Sequence, residues 1–226
     1  MSKVKHLRNV PIFTDLTQSD LAKIASKMVP RKYEKGQMIL LEESRGETFF
    51  IISKGAVKVT RLSDDGREVI LAILGESDFF GEMSLLDGEG RSANIVANDN
   101  AEVLTLSRSD FLDCLESYPK IAIALLEELA VRLRKSDQQI ESLSLSDSEQ
   151  RIGITLVRLA EELGTIKQGH VTVQNLPFQQ DIANMAGTSR ETVSRTLKLL
   201  EDKAFVKREN RDITIYNFDA FRQAFS

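Results

Sequence analysis

The sequence predicts an α+β fold: a turn-rich, all-β N-terminal part, then one long helix, then a helical part that ends in a short β-hairpin. Glycine placement supports this division, because eight of the 12 glycines lie between residues 36 and 90 and none occurs in 91–152. No proline interrupts the chain between residues 120 and 176. Since glycine and proline mark turns, the first part must consist of short elements, and a long helix can follow it.

Composition favours a globular protein that remains inside the cell. Of its 226 residues, 42% are hydrophobic and 28% are charged, which is ordinary for folded domains. The single cysteine, Cys114, excludes an internal disulfide and an iron–sulfur cluster. Because the sequence shows neither a signal peptide nor a membrane-spanning segment, we expect a cytoplasmic protein with no membrane partner.

Charge is distributed unevenly along the chain. The net charge is −4, yet residues 150–226 hold 11 basic and 9 acidic side chains, and the remainder of the chain is acidic. The C-terminal part is therefore the better candidate for contact with phosphate groups.

Short runs rich in β-branched and aromatic residues predict the strands of the N-terminal part. These runs are Thr48–Ser53, Ala56–Leu62, Val69–Leu74, Asn94–Ala97 and Val103–Leu106. The dipeptide Asp65-Gly66, between the second and third runs, is typical of a tight hairpin turn. Strands at this spacing predict a sandwich, jelly roll or barrel. Capping patterns that start at Thr17 and Ser107 predict one helix before the strands and one after them.

An apolar repeat predicts a long helix after Pro119. Its members are separated alternately by three and four residues: Leu126, Leu129, Leu133, Ser136, Ile140 and Leu143. This spacing is typical of a coiled-coil seam and predicts a homodimer formed through residues 121–145. The alternative is a helix that packs on its own domain. Because the polar segment 144–150 suggests a hinge, we expect domain divisions at 1–118, 119–146 and 147–226.

Two helical patterns meet at Gly187, which can supply the left-handed backbone that a tight inter-helix turn requires. Thr188 or Ser189 caps the second helix. The apolar positions of the two helices are Ile182, Ala183, Ala186, Val193, Leu197 and Leu200. The pattern predicts a helix-turn-helix over residues 179–200, with an ordinary helical hairpin as the alternative.

The early exposed residues of the second helix suit the major groove of double-stranded DNA. They are Arg190, Glu191, Ser194 and Arg195. Arginine can bridge two acceptors on guanine, and glutamate can accept from the cytosine amine. In the β-hairpin that follows, Lys207, Arg208 and Arg211 are candidate phosphate contacts, with a solvated turn as the alternative.

A second polar cluster lies in the β-rich part, in the segments 80–86 and 91–93. Gly81 would let the backbone approach a ligand closely, and successive backbone N–H groups can hold an anion. Arg91 offers a forked donor to phosphate oxygens, and Glu82 can accept from sugar hydroxyls. The alternative is a structural loop in which Arg91 pairs with Glu82.

The segment Ser189–Arg195, Ser-Arg-Glu-Thr-Val-Ser-Arg, resembles the recognition helix of the Crp/Fnr family of transcription regulators, and the resemblance covers nearly the whole chain. It implies an N-terminal cyclic-nucleotide-binding β-roll (a double-stranded β-helix or jelly roll), a dimerisation helix and a C-terminal winged helix-turn-helix. It also implies a homodimer that binds a near-palindromic operator and contacts RNA polymerase. The implied DNA-binding residues are Gln180, Ser189, Arg190, Glu191, Thr192, Ser194, Arg195 and Lys198.

Gly81-Glu82, followed by Arg91-Ser92-Ala93, is similar to the phosphate-binding cassette of cyclic-nucleotide-binding domains. The resemblance implies a cyclic nucleotide effector, with cyclic AMP and cyclic GMP as candidates. The implied ligand-binding residues are Gly81, Glu82, Met83, Ser84, Arg91, Ser92, Ser136 and Asp137. The last two stand where cyclic AMP receptors offer a Thr-Ser pair to adenine. Asp137 is an acceptor-only anion that suits the amine of guanine, or it is a solvated helix residue.

Other function classes have little support in the sequence. It shows no nucleophile–base pair, no metal-ligand spacing and no Walker lysine, so we expect no catalytic residue, no metal and no enzyme activity. A lone cysteine argues against a cysteine-dependent oxygen sensor, and the separation in sequence of His6 and His170 from the β-rich part argues against a haem sensor. Two alternatives remain: a cyclic-nucleotide module that acts on a protein partner, and a family member that binds DNA without a ligand.

Overall fold

The computed structural model describes residues 3–225, and the chain divides into two compact units between Arg134 and Lys135. The first unit holds two four-stranded antiparallel sheets and their flanking helices. The second unit holds a helix-turn-helix and a smaller sheet. Within the described residues, no helix combines the length and the apolar composition needed to cross a bilayer.

The two sheets of the first unit pack face to face. Their strands are β1 (Val29–Tyr33), β2 (Met38–Leu40), β3 (Thr48–Lys54), β4 (Val57–Leu62), β5 (Glu68–Leu74), β6 (Phe79–Phe80), β7 (Asn94–Ala97) and β8 (Ala101–Ser107). The strand orders are β1-β8-β3-β6 and β2-β7-β4-β5. Phe50, Phe80 and Val103 of one sheet and Val57 and Ile95 of the other form the core between them. The predicted β-sandwich or β-roll is confirmed.

Helices cover the outer face of the sheet that contains β3 and β8. They are α1 (Lys3–Leu7), a 3-10 turn (Pro11–Phe13), α2 (Gln18–Lys27), α3 (Met83–Leu86) and α4 (Arg108–Ser117). Alternation along a strand turns Phe49 and Leu104 to the helices while Phe50 and Val103 point inward. The Phe49 and Phe111 rings stack at 4.4 Å, and Cys114 lies buried in the same core.

The predicted capping residues and the predicted hairpin turn are confirmed. Thr17 accepts a hydrogen bond from the Asp20 amide at 3.2 Å, and Ser107 accepts one from the Asp110 amide at 3.1 Å. β4 and β5 form an antiparallel hairpin, and Gly66 in its turn has φ +81°. The strands β1, β2 and β6 are short or polar, and the sequence patterns did not predict them.

The long helix α5 (Pro119–Leu145) buries apolar side chains in the first unit near its start. Ile121 and Leu125 are buried, and Leu129 packs partly against the same core. Further along, the predicted seam positions Leu133 and Ile140 are exposed in the single chain.

The second unit begins with the last turns of α5 and continues into α6 (Ser148–Leu163). Its other elements are β9 (Gly164–Lys167), β10 (His170–Val173), α7 (Gln179–Ala186), α8 (Arg190–Asp202), β11 (Val206–Glu209), β12 (Asp212–Ile215) and α9 (Phe218–Ala224). The sheet order is β11-β12-β10-β9, so the predicted hairpin β11–β12 joins a second hairpin that sequence patterns did not predict.

The segment between α5 and α6 is shorter than the sequence suggested. α5 continues to Leu145 and α6 begins at Ser148, although the polar run 144–150 was predicted to be a hinge. Asp147 accepts from the Gln150 amide at 2.9 Å and caps α6, which explains why this polar run becomes helical so early.

Candidate DNA-binding and ligand-binding sites

Gly187 makes the tight turn between α7 and α8 possible. Its backbone is left-handed, with φ +59° and ψ +47°, a conformation that glycine adopts without a β-carbon penalty. The amides of Gly187 and Thr188 both donate to the carbonyl of Ala183. The two helices therefore form the predicted helix-turn-helix.

Ser189 caps α8. Its hydroxyl accepts from the Thr192 amide at 3.2 Å and lies 3.0 Å from the Thr192 hydroxyl. Of the two residues that the sequence suggested for this role, Ser189 holds it. The hydroxyls of two predicted DNA-binding residues thus stabilise the first turn of the helix itself.

The two faces of α8 differ sharply. Val193, Leu197 and Leu200 are buried within the domain. The remaining predicted DNA-binding residues of this helix are exposed: Arg190, Glu191, Ser194, Arg195 and Lys198. Hydrogen bonds from its own backbone N–H and from Ser189 lower the pKa of Glu191. Glu191 is therefore anionic at neutral pH and can only accept hydrogen bonds.

Gln180 lies exposed in the first turn of α7. Its side-chain amide donates to Asn184 Oδ1 at 2.9 Å. The structure thus brings all eight predicted DNA-binding residues together in α7, in α8 and at the α8 cap.

The basic residues of the β11–β12 hairpin have partners inside the domain. Arg208 forms an ion pair with Glu201, and Lys207 forms one with Glu209. Arg211 donates to the carbonyl of Leu176 at 3.3 Å, and its guanidinium lies 4.5 Å from the centre of the Phe178 ring. The contacts of Arg208 and Arg211 tie the hairpin to α8 and to the start of α7, whereas the Lys207–Glu209 pair lies within β11.

In the first unit, Arg91 is the centre of the predicted ligand site. Only 5% of the residue is exposed. Its Nη1 donates to the Gly81 carbonyl and to Ser84 Oγ, each at 2.8 Å, and its Nη2 donates to the Thr48 carbonyl at 2.8 Å. No hydrogen-bond partner for Arg91 Nε is found among the described residues. Burial lowers the pKa of this guanidinium.

Two glycines leave room for Arg91. A β-carbon on Gly81, whose φ is +84°, would lie 2.8 Å from Arg91 Nη1 and 3.0 Å from the Thr48 carbonyl oxygen. A β-carbon on Gly46 would lie 2.1 Å from Ser84 Oγ. Gly46 was not predicted, because only the fold brings it beside this segment.

Glu82 pairs with Arg132 of α5. Glu82 is 3% exposed, and its Oε1 lies 3.2 Å from Arg132 Nη1. Arg132 also donates to the Phe79 carbonyl at 2.9 Å and lies over the Phe79 ring at 4.5 Å. Burial raises the pKa of Glu82, and the charge of Arg132 opposes that rise. The sequence left open a pair between Arg91 and Glu82, but each makes other bonds.

The remaining predicted ligand-binding residues are exposed. The Ser92 hydroxyl lies 3.6 Å from the Met83 sulfur at the protein surface. Ser136 and Asp137 belong to the second unit and lie on exposed positions of α5. The structure therefore brings Gly81, Glu82, Met83, Ser84, Arg91 and Ser92 together within the first unit.

Two known domains match the chain. The cyclic nucleotide-binding domain matches residues 30–118, and the Crp-like helix-turn-helix domain matches residues 150–224. A CRP-like cAMP-activated global transcriptional regulator of Mycobacterium tuberculosis is 30% identical over 209 residues, which cover 92% of this chain and 93% of that protein. The chain belongs to the Crp/Fnr family.

A second relative agrees in sequence, and a solved structure agrees in fold. The cyclic AMP receptor protein of Thermus thermophilus is 34% identical over 202 residues, covering 89% of this chain and 90% of that protein. The structure of FixK2 from Bradyrhizobium japonicum superposes with a TM-score of 0.78 at 23% identity, covering 88% of this chain and 98% of that chain. The protein is thus a Crp/Fnr-type DNA-binding transcription regulator with a cyclic-nucleotide-binding domain, and it is not an enzyme.

Besides Gly46, sequence patterns missed two residues that shape the predicted ligand region. Arg132 holds Glu82, and the Thr48 carbonyl holds Arg91. The one local signal for Arg132 is its spacing of four residues from Glu128, whose carboxylate lies 3.3 Å from Arg132 Nε. Neither long-range contact leaves a local pattern in the sequence.

Proposed function

We propose that two copies of the chain form a homodimer through residues 121–145 and bind a near-palindromic operator in the cytoplasm, under the control of a cyclic nucleotide. The domain divisions 1–118, 119–146 and 147–226 would then separate sensing, dimerisation and DNA binding. At promoters that the protein activates, it would also contact RNA polymerase.

The observation that carries the proposal is the exposed charged face at the start of α8. Arg190, Glu191 and Arg195 lie there on a helix that Ser189 caps and that an apolar face fixes to its domain. In a helix-turn-helix, the N-terminal residues of the second helix reach base edges in the major groove. Gln180, Thr192, Ser194 and Lys198 lie close enough in sequence to contact bases or phosphates beside them.

The exposed seam of α5 supports the dimer. The relative exposures of Leu126, Leu133, Ile140 and Leu143 are 66%, 63%, 62% and 54%. Large apolar side chains that recur on one face of a helix are normally buried against a partner, and a second copy of the same seam would bury them. In such a dimer a two-fold axis relates the two copies of α8, and they enter neighbouring major grooves when they lie about 34–36 Å apart, one turn of the duplex.

The cluster around Arg91 supports a cyclic nucleotide as the effector. Its fixed positive charge lies beside the Ser84 hydroxyl, and Glu82 and Ser92 could accept from or donate to a ribose phosphate. Gly81 and Met83 would line the same site, and Ser136 and Asp137 would contact the base. The named activators of two relatives favour cyclic AMP, whereas an acceptor at Asp137 favours cyclic GMP.

A second candidate function is DNA binding without a ligand. The observation that favours it is the state of Arg91, because three protein acceptors already hold its guanidinium. A phosphate would have to compete with these hydrogen bonds for Nη1 and Nη2, which leaves Nε as the guanidinium nitrogen without a partner among the described residues.

A DNA-binding selection tests the proposal. Purified protein would be incubated with genomic fragments alone and with cyclic AMP, cyclic GMP or cyclic di-GMP, while calorimetry measures nucleotide binding directly. Enrichment of a palindromic site only with a mononucleotide supports the proposal. Enrichment without a nucleotide, together with no heat of binding, favours the ligand-free candidate. Binding with no sequence preference and no weakening by salt would favour a module that acts on a protein partner.

A further inference from the structure

One arginine joins the junction between α5 and α6 to the turn of the helix-turn-helix. Arg151 Nη1 donates to the Ser146 carbonyl at 2.8 Å, and its Nε donates to the Ala186 carbonyl at 2.8 Å. Its Nη2 donates to the Gly187 carbonyl at 3.1 Å. A single half-buried guanidinium thus uses three of its N–H groups to hold three backbone carbonyls.

The three carbonyls belong to the ends of two helices. Ser146 follows the last residue of α5, Ala186 is the last residue of α7, and Gly187 is its left-handed cap. The final carbonyls of a helix lack partners within the helix and carry partial negative charge, so a cation stabilises them. Arg151 supplies that cation to both helices at once.

The position of Arg151 in its own helix is otherwise unfavourable. It lies in the first turns of α6, just after the Asp147 cap, where the helix dipole favours acidic rather than basic residues. A residue that departs from a local preference often serves a contact elsewhere. Here the three carbonyls are that contact.

Two further contacts bind the end of α5 to the same unit. A β-carbon on Gly187 would lie 3.0 Å from Leu143 Cδ2, so the side chain of Leu143 abuts the turn. Lys135 Nζ lies 2.9 Å from Glu162 Oε1 at the other end of α6. The last turns of α5 consequently belong with the DNA-binding elements in the unit Lys135–Ser226.

We propose that Arg151 is a positioning residue that makes the recognition helix α8 follow the end of α5. Because α8 begins three residues after Gly187, any change in the direction of α5 reaches Arg190 through this guanidinium. The segment 146–147 is therefore a junction that Arg151 braces: its hydrogen bonds restrict the motion of α5 relative to the helix-turn-helix. Transmission of an effector signal by this route rests on the proposed function, but the bracing itself does not.

The bracing can be tested on the full-length protein without DNA or nucleotide. Hydrogen exchange would compare the wild type with Arg151→Gln, Arg151→Lys and the control Arg222→Gln, which removes an exposed arginine of the same unit. We expect the amides of Gly187 and Thr188 to exchange about tenfold faster in Arg151→Gln, since bonds from a charged donor are lost. Arg151→Lys keeps the charge without the fork, so its exchange should lie in between.

Strand β3 provides the reference for folding, because its exchange should be the same in every variant. If the turn amides of Arg151→Gln exchange at the wild-type rate while the variant remains folded, the proposal is wrong. Faster exchange throughout the second unit in both Arg151→Gln and Arg151→Lys would also overturn it, since Arg151 would then be a general stabiliser of the domain.

The second readout is operator binding at several salt concentrations, with the operator that the selection identifies. We expect Arg151→Gln to lower the ratio of operator affinity to non-specific affinity by about tenfold and to leave the salt dependence unchanged. If the slope of log affinity against log salt concentration were instead reduced by about one, Arg151 would be a phosphate contact and the positioning role would be refuted. Failure of the cyclic nucleotide proposal would show separately, as an absence of binding heat in the wild type.

Discussion

At the scale of single residues, Gly81 combines two requirements that the sequence could only suggest. Its φ of +84° suits glycine, and a β-carbon at this position would lie too close to Arg91 Nη1 and to the Thr48 carbonyl oxygen. Gly88 has a similar φ of +78° but open space around it. The pair therefore separates the cost of backbone conformation from the cost of a steric clash.

We expect Gly81→Ala to lower the free energy of unfolding by about 2–4 kcal/mol, and Gly88→Ala to lower it by about 1 kcal/mol. Both substitutions place an alanine at positive φ, which costs conformational free energy. Only Gly81→Ala must also displace the Arg91 guanidinium. Urea unfolding of the two variants and the wild type measures the difference. Equal losses of unfolding free energy in the two variants would show that the residues around Arg91 accommodate the added methyl group without a free-energy cost.

Arg190 offers a residue-scale test of base contact. We expect Arg190→Ala to weaken binding at the cognate operator by about 1–3 kcal/mol and to relax the base preference at one position of each half-site. Anisotropy titrations against operators changed one base pair at a time measure both effects. Arg222→Ala is the control, because it removes an exposed arginine on α9. Uniform weakening on all sequences would make Arg190 a phosphate contact instead.

At the scale of elements, α5 is a helix with two different tasks. Near its start, Ile121 and Leu125 complete the core of the first unit, and Arg132 holds Glu82. Beyond Arg134, the helix belongs to the second unit. The repeat of three and four residues is common to both parts, so it predicted one uninterrupted helix and could not show where the compact units divide.

The exposed seam gives an element-scale prediction. We expect Leu133→Glu to weaken self-association at least tenfold, because two glutamates would meet in an apolar seam and two leucines would lose their burial. Leu62→Glu is a matched control: Leu62 is 59% exposed, close to the 63% of Leu133, but it lies on β4, outside the proposed interface. Sedimentation equilibrium at micromolar concentration measures the effect. A Leu133→Glu variant that associates like the control would contradict the proposed dimer.

At the scale of the whole molecule, the proposed dimer restricts the DNA that it can bind. Two copies of α8 related by two-fold symmetry enter the major groove on one face of the duplex only when the half-sites are about one helical turn apart. The spacing between half-sites is therefore a property of the assembly and not of either helix-turn-helix.

Changing that spacing supplies the whole-molecule prediction. We expect an insertion of about 5 base pairs between the half-sites to reduce affinity towards the non-specific level, because it moves one half-site to the opposite face of the duplex. Mobility shifts with the selected operator and its insertion series measure this effect. An operator of equal total length with one half-site scrambled is the control. Equal affinity for all spacings would indicate that subunits bind independently.

Most of the fold follows from local patterns, because turns, caps and alternating strands depend on neighbours in sequence. Asp65-Gly66, the caps at Thr17, Ser107 and Ser189, and the turn at Gly187 were all predictable from a few adjacent residues. The short strands β2 and β6 were not, since three or two residues carry too little pattern.

The sequence by itself determined the order of the parts, the helix-turn-helix and the side chains that α8 exposes, because helix periodicity sets which residues share a face. Only the tertiary structure decided the partners of the charged side chains. Arg91 with Thr48, Glu82 with Arg132, and Arg151 with Ala186 join residues between 35 and 50 positions apart. Such pairs depend on how strands and helices pack. An arginine has five N–H donors that can bond to many acceptors, and only the packed structure determines which acceptors lie within reach.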